Sequence, residues 1–90
     1  MSIHRRAARR DAPEAEIVDA LRQVGCRVLR LSGAGVPDLA VYWPARGWVL
    51  AEVKAPAGRL TSAQREWGPE VRIWRSIDDA MADLGITRSV

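Results

Sequence analysis

Two apolar segments separated by a short turn constrain the fold of this 90-residue chain most strongly. Residues 39–43 and 48–55 are rich in β-branched and aromatic side chains, which favours strands. Residues 44–47, Pro-Ala-Arg-Gly, are typical of a turn. Because the connection has only four residues, the two strands are predicted to form an antiparallel hairpin.

Three charged residues interrupt this apolar hairpin. Asp38 stands at the entrance to the first strand, while Glu52 and Lys54 lie on one face of the second, ~7 Å apart along it. Burying such charges costs free energy unless they are paired or coordinate a metal. Lys54 is also the only lysine among 14 Lys and Arg residues. This bias indicates that the position requires a compact ammonium group. The hairpin therefore predicts a functional site.

The rest of the chain predicts three helices and two further strands. We expect a helix over 13–24 and an edge strand over 26–31. A short helix is expected to begin at a Thr61–Gln64 capping box and to be stopped by Gly68-Pro69. A strand over 71–74 and a helix from Ser76 to about Leu84 are expected to follow. The order helix, three strands, helix, strand, helix predicts an α/β sandwich with a small mixed sheet.

Acidic residues in the two longer helices divide by position. Glu14 falls on the same side as the apolar residues of the first helix, so it is predicted to face inward. Its alternative role is favourable charge at a helix amino terminus. Asp78, Asp79 and Asp83 are interpreted as cap and solvent-face charges.

Composition limits the classes of function. The net charge of +3 fits a nucleic-acid partner without establishing one. Residues 1–12 are predicted to be a basic arm, either disordered or contacting phosphates, with arginines at Arg5, Arg6, Arg9 and Arg10. Residues 13–90 are expected to form a single domain. The lone histidine, His4, makes a His-based metal site or a Ser-His-Asp triad implausible.

The single cysteine, the length of the apolar runs and the Gly-rich turn bear on the location of the protein and on its cofactors. The single cysteine, Cys26, indicates a reducing, cytoplasmic compartment and is predicted to be a core residue. No apolar run approaches the ~18 residues of a membrane span. The Gly-rich turn 32–35 lacks the P-loop pattern, so no nucleotide cofactor is expected.

The chemistry of the hairpin points to a divalent cation. The carboxylates of Asp38 and Glu52 can converge, and the backbone carbonyl of Val53 could add an oxygen, a set that suits Mg²⁺ or Mn²⁺. Such an ion polarises a phosphodiester and lowers the pKa of a bound water. Lys54 could orient the water or neutralise charge developing on the phosphate. Gln64 and Glu14 could assist by hydrogen bonding, although Gln64 also has its capping role.

These residues resemble a known family. Pro37-Asp38, thirteen residues, and then Glu52-Val53-Lys54 is similar to the PD-(D/E)xK nuclease motif. The continuation Gly58-Arg59-Leu60-Thr61, Gln64 and Trp67 resembles the VRR-NUC branch of that superfamily, and the resemblance covers roughly residues 14–84. One departure is the helix after Gln64, which Gly68-Pro69 shortens.

The resemblance implies a restriction-endonuclease-like αβββαβα core and metal-dependent cleavage of DNA. It implies that Asp38 and Glu52 bind the metal, that Lys54 is catalytic, and that Gln64 and Glu14 assist. Small stand-alone members, from phages and bacteria, resemble Holliday junction resolvases in acting as dimers on branched DNA. Arg59 and the arginines of the basic arm are then expected to contact phosphates.

Three hypotheses remain at this point. The first is a Mg²⁺- or Mn²⁺-dependent endonuclease, homodimeric and selective for branched DNA. The second is a catalytically silent DNA-binding or assembly module with the same fold. The third is a small α/β domain in which Glu52 and Lys54 form an exposed ion pair. The four tryptophans are expected to be core or dimer contacts, with base stacking as the alternative.

Overall fold

The fold is built on one mixed four-stranded sheet. The computed structural model describes residues 13–87. The strands lie in the order of the sequence: β1 (Arg27–Arg30), β2 (Leu39–Trp43), β3 (Gly47–Val53) and β4 (Val71–Trp74). β1, β2 and β3 are antiparallel neighbours, and β4 runs parallel to β3. The α/β class, the mixed sheet and the edge position of β1 are therefore confirmed.

Three helices complete the order predicted from the sequence: α1 (Glu14–Gln23), α2 (Ser62–Arg65) and α3 (Ile77–Leu84). The two longer helices, α1 and α3, pack over one face of the sheet. Their apolar residues join alternate strand residues in a single core, which includes Ile17, Leu21, Val41, Ala51 and Trp74. Cys26 belongs to this core as expected.

The hairpin of β2 and β3 brings the start of one strand to the end of the other. Leu39 pairs with Ala51, so Asp38, one residue before β2, lies beside the Glu52–Val53 segment. β3 ends at Val53, two residues earlier than predicted, so Lys54 lies just beyond the strand. Its backbone N–H still donates to the carbonyl of Trp74 at 3.0 Å. The sheet therefore continues to hold the backbone where the charged residues begin.

Helix ends follow the capping patterns in the sequence. Thr61 and Gln64 form the predicted capping box of α2, and the Ser76 hydroxyl accepts from the N–H of Asp79 at the start of α3. α2 is only four residues long. Its early end confirms the short helix predicted before Gly68-Pro69.

The sheet face opposite α1 and α3 carries exposed apolar side chains. Leu29, Ala40 and Leu50 lie in one row across β1, β2 and β3, with Tyr42 and Trp48 in a neighbouring row. Leu29 and Trp48 are more than half exposed, and the rings of Tyr42 and Trp48 are in contact with centroids 5.4 Å apart. We call these five residues the open face. Trp48 is therefore not a core residue, whereas Trp74 is.

Two observations concern the parts of the chain beyond this core. The predicted basic arm, residues 1–12, lies outside the described residues, as do its four arginines. Over residues 13–87, the helices are all too short and too polar to cross a membrane.

Candidate active site

Glu52 is the centre of the candidate site. It projects from β3 on the open-face side of the sheet, yet only 6% of it is exposed. The hypothesis of a Glu52–Lys54 ion pair that is exposed is therefore wrong, because Glu52 is buried. The two side chains do lie close together, with Lys54 Nζ 3.8 Å from Glu52 Oε2.

Asp38 is fixed against the same strand. Its Oδ2 accepts a hydrogen bond from the backbone N–H of Val53 at 2.9 Å. Because this bond spans the mouth of the hairpin, it orients the Asp38 carboxylate beside Glu52. The backbone carbonyl of Val53 belongs to the same short segment, between Glu52 and Lys54.

The surroundings of Glu52 raise its pKa from 4.5 to about 7. Burial is the largest cause and the negative charge of Asp38 is the next, while the charge of Lys54 acts in the opposite direction. A carboxyl group in this position is therefore partly protonated near neutral pH. A cation between the two carboxylates would remove the cost of keeping both ionised.

Gln64 reaches this site from α2 while also capping that helix. Its side-chain Oε1 accepts from the N–H of Thr61 at 2.9 Å, and its Nε2 donates to Glu52 Oε2 at 2.7 Å. The Thr61 hydroxyl completes the box by accepting from the N–H of Gln64. The structural and the site role expected of Gln64 are therefore compatible, since each uses a different atom of one amide.

Glu14 is buried, as the sequence predicts, with 1% exposed. Its Oε2 lies 3.3 Å from Nε of Arg30, a residue of β1. This ion pair was not expected from the sequence, which gave Arg30 no role beyond an edge strand. The role of Glu14 in assisting the site stays a prediction.

Of the other candidates that lie within residues 13–87, Arg59 is not part of this cluster of contacts. Arg59 is exposed in the loop between β3 and α2, on the route from Lys54 to Gln64. The structure therefore brings Asp38, Glu52, Lys54 and Gln64 together.

The donor set fits a hard divalent cation with few protein ligands. Among residues 13–87 there is no group of three or more His, Cys, Asp or Glu side chains able to hold a metal ion. The expected set contains two carboxylates and a backbone carbonyl. Mg²⁺ is commonly held by one or two carboxylates, with waters and substrate oxygens filling the other positions.

Asp83 behaves differently from its prediction as a solvent-face charge. It accepts from Arg72 Nε at 2.7 Å and from the indole Nε1 of Trp74 at 2.8 Å. Hydrogen bonding to Arg72 lowers the pKa of Asp83 below its usual value. The prediction was wrong because the alternation of β4 turns Arg72 and Trp74 toward α3.

A cavity of about 640 Å³ lies at the outer edge of β4, lined by Leu60, Arg72 and Asp83 among others. Its lining does not include the carboxylates of the candidate site.

Comparison with known proteins gives a family match and a structural match. The family model described as the VRR-NUC domain matches residues 3–73. The chain belongs to the VRR-NUC family. Its members are nuclease-type domains, so this chain is assigned to the nucleases in general and DNA is the implied substrate.

A solved structure described as a VRR_NUC domain supports the same assignment. It is 25% identical to this chain and superimposes with a TM-score of 0.59, covering 78% of this chain and 89% of its own. No curated protein gave a significant match.

Proposed function

We propose that this VRR-NUC protein is a Mg²⁺- or Mn²⁺-dependent endonuclease that hydrolyses phosphodiester bonds in DNA. The observation that carries the proposal is the buried Glu52 carboxylate, contacted by Lys54 and Gln64 and charge-coupled to Asp38. A silent module would have no need to keep two carboxylates in a position that raises the pKa of one of them.

Each side chain has a proposed task. Asp38, Glu52 and the Val53 carbonyl would hold the cation, which when bound would polarise the phosphodiester as a Lewis acid and lower the pKa of water. Lys54 places an ammonium beside Glu52, where it neutralises negative charge developing on the phosphate. Gln64 fixes Glu52 through Oε2, which limits the orientations that the carboxylate can adopt. Glu14 assists from α1.

Contacts with the DNA backbone are proposed for exposed arginines. Arg59 is exposed in the loop that joins Lys54 to α2, and Arg5, Arg6, Arg9 and Arg10, which lie outside the described residues, are proposed to make further phosphate contacts. The finer proposal also includes a cytoplasmic location and the division into a basic arm, 1–12, and one nuclease domain, 13–90.

Homodimerisation through the open face is part of the proposal. Leu29, Trp48 and Leu50 expose 54%, 53% and 39% of their surface, an unusual concentration of apolar area for an isolated domain of this size. A two-fold dimer would present two sites to a substrate with the same symmetry, such as a four-way junction. Selectivity for branched DNA is proposed on this basis and on the resemblance to junction resolvases.

The function is tested by cleavage of end-labelled four-way junction, flap and linear duplex DNA in Mg²⁺, Mn²⁺ or EDTA. Wild type should cut the junction in a metal-dependent manner, while Asp38→Asn and Lys54→Ala should lose cleavage and keep DNA binding. Equal cutting of all substrates would remove the selectivity for branched DNA.

Metal binding gives a readout apart from activity. Calorimetric titration with Mn²⁺ should show binding to wild type and much weaker binding to Asp38→Asn. If wild type binds DNA without binding Mn²⁺ or cutting, the silent DNA-binding or assembly module is the correct alternative.

The dimer is tested by sedimentation velocity. Leu50→Glu should shift the protein to a monomer, whereas Ala15→Glu, which adds the same charge on the exposed side of α1, should not. A wild-type monomer at micromolar concentration would contradict the dimer without affecting the nuclease assignment.

A further inference from the structure

The turn that follows Lys54 is held by Arg75, the residue directly after β4. Residues 55–58 make a tight turn in which the N–H of Gly58 donates to the carbonyl of Ala55 at 2.9 Å. Ala55, Pro56 and Ala57 are exposed, so this turn gains little from apolar burial. The turn nevertheless joins Lys54 to the helix that carries Gln64, and both residues contact Glu52.

The side chain of Arg75 binds the backbone of this turn. Its Nη1 donates to the carbonyl of Ala55 at 2.8 Å and to that of Gly58 at 2.7 Å, and lies 3.5 Å from the carbonyl of Pro56. One end of a charged guanidinium thus binds both ends of the turn. Hydrogen bonds of this kind are stronger than those between neutral groups.

The backbone of Arg75 is itself fixed. It directly follows β4, where Trp74 is buried in the core and accepts from the N–H of Lys54. The N–H of Arg75 donates to Asp79 Oδ2 at 2.9 Å, at the start of α3. The guanidinium therefore connects an exposed turn to a backbone position that is held by both the sheet and α3.

We propose that Arg75 is a positioning residue for the active site: by clamping the 55–58 turn, it holds Lys54 and Gln64 in place over Glu52. The expected effect on cleavage rests on the proposed nuclease function. The contacts of Arg75 with the turn do not, because they are a property of the fold. Lysine would replace it only in part, because its ammonium lies one bond closer to the backbone than Nη1, the nitrogen that makes all three contacts.

The test compares Arg75→Ala and Arg75→Lys with wild type, with Arg72→Ala as the matched control. Arg72 lies on β4, three residues before Arg75, but binds Asp83 instead of the turn. Hydrogen–deuterium exchange should rise about 10-fold or more at the amide of Gly58, and also at Gln64 and Arg65, in Arg75→Ala, because two charge-assisted bonds are lost. The control should leave exchange in residues 54–66 unchanged even if it lowers the melting temperature.

Cleavage provides the second readout. The single-turnover rate of Arg75→Ala should fall about 100-fold, as expected when catalytic groups are displaced by about 1 Å. The dissociation constant for DNA measured in EDTA should change less than about 3-fold, since Arg75 is not proposed to contact DNA. Arg75→Lys should lie between wild type and Arg75→Ala in both readouts.

Four results are decisive. Unchanged exchange over residues 54–66 in Arg75→Ala would overturn the proposal, as would an equal loosening in Arg72→Ala. Increased exchange with a wild-type cleavage rate would overturn the positioning role. If wild type cuts no DNA but Arg75→Ala loosens the turn, the nuclease function fails and the clamp stands.

Discussion

Replacing Glu52 by Gln should stabilise the protein in the absence of divalent cations while abolishing cleavage. The side chain is buried beside Asp38, and its pKa is raised to about 7. Its ionised form is therefore unfavourable in the folded protein. Glutamine keeps the size of the side chain and an oxygen that can accept from Gln64 Nε2, but it removes the charge. The substitution therefore isolates the electrostatic cost of the site.

The magnitude follows from the shift in pKa. Glu52 ionises near pH 4.5 in the unfolded chain and near pH 7 in the folded protein, so the folded state binds the proton more tightly. At 1.36 kcal/mol per pKa unit, ionised Glu52 costs the folded state about 3 kcal/mol at pH 8. The wild type loses this stability as the pH rises from 4.5 through 7. For a domain of this size, the difference corresponds to a melting temperature on the order of 10 °C higher for the variant at pH 8.

The assay is thermal unfolding of wild type and Glu52→Gln in EDTA from pH 4 to pH 8. The two should melt together near pH 4 and diverge above it, with the variant more stable. Adding Mg²⁺ or Mn²⁺ at pH 8 should raise the melting temperature of the wild type only. Glu66→Gln, which neutralises an exposed carboxylate close to Gln64 in the sequence, should show neither effect. A Glu52→Gln variant that is no more stable than wild type at pH 8 would refute the reasoning.

Three further predictions concern the supports of the site and of α3. Thr61→Ala should lower the cleavage rate severalfold and the free energy of unfolding by about 1 kcal/mol, because the cap that orients Gln64 is lost. The control Ser62→Ala should change neither quantity. Cleavage kinetics measure the first effect and urea unfolding measures the second. Trp74→Phe should cost about 1–3 kcal/mol in urea unfolding, because it removes the indole bond to Asp83 in the core. Asp83→Asn should cost about 1 kcal/mol at pH 7, since the pair with Arg72 is partly exposed. That difference should shrink as the pH falls through the lowered pKa of Asp83, and a difference independent of pH would contradict it.

Much of the fold could be predicted because local patterns dictate it. The short connection, three residues long in the structure where four were expected, fixes the hairpin, and the hairpin register places Asp38 beside Glu52 without any information from the rest of the chain. The capping box at Thr61 and the N-cap at Ser76 fix where α2 and α3 begin. Each of these features depends on residues close together in the sequence, where spacing and side-chain chemistry are sufficient.

The features that could not be predicted join residues distant in the sequence. Arg30 pairs with Glu14 across 16 positions, and Asp83 binds Arg72 and Trp74 from another element. Arg75 gave no signal at all, since its side chain binds backbone carbonyls, which every residue has. The open face could not be predicted either. Alternation predicts which strand residues share a face of the sheet, but it does not predict that the helices cover only one of the two faces.

Gln64 shows how local and distant constraints combine in this site. The capping box fixes the side-chain oxygen toward Thr61, and this alone determines the direction in which the amide nitrogen points. The turn held by Arg75 then determines where α2 lies, so that the nitrogen meets Glu52 at 2.7 Å. The short helix is sufficient for this purpose, because only its first turn takes part. The orientation of a buried carboxylate thus depends on a helix of four residues, which is stabilised by its cap and its anchored loop and has no buried residue of its own.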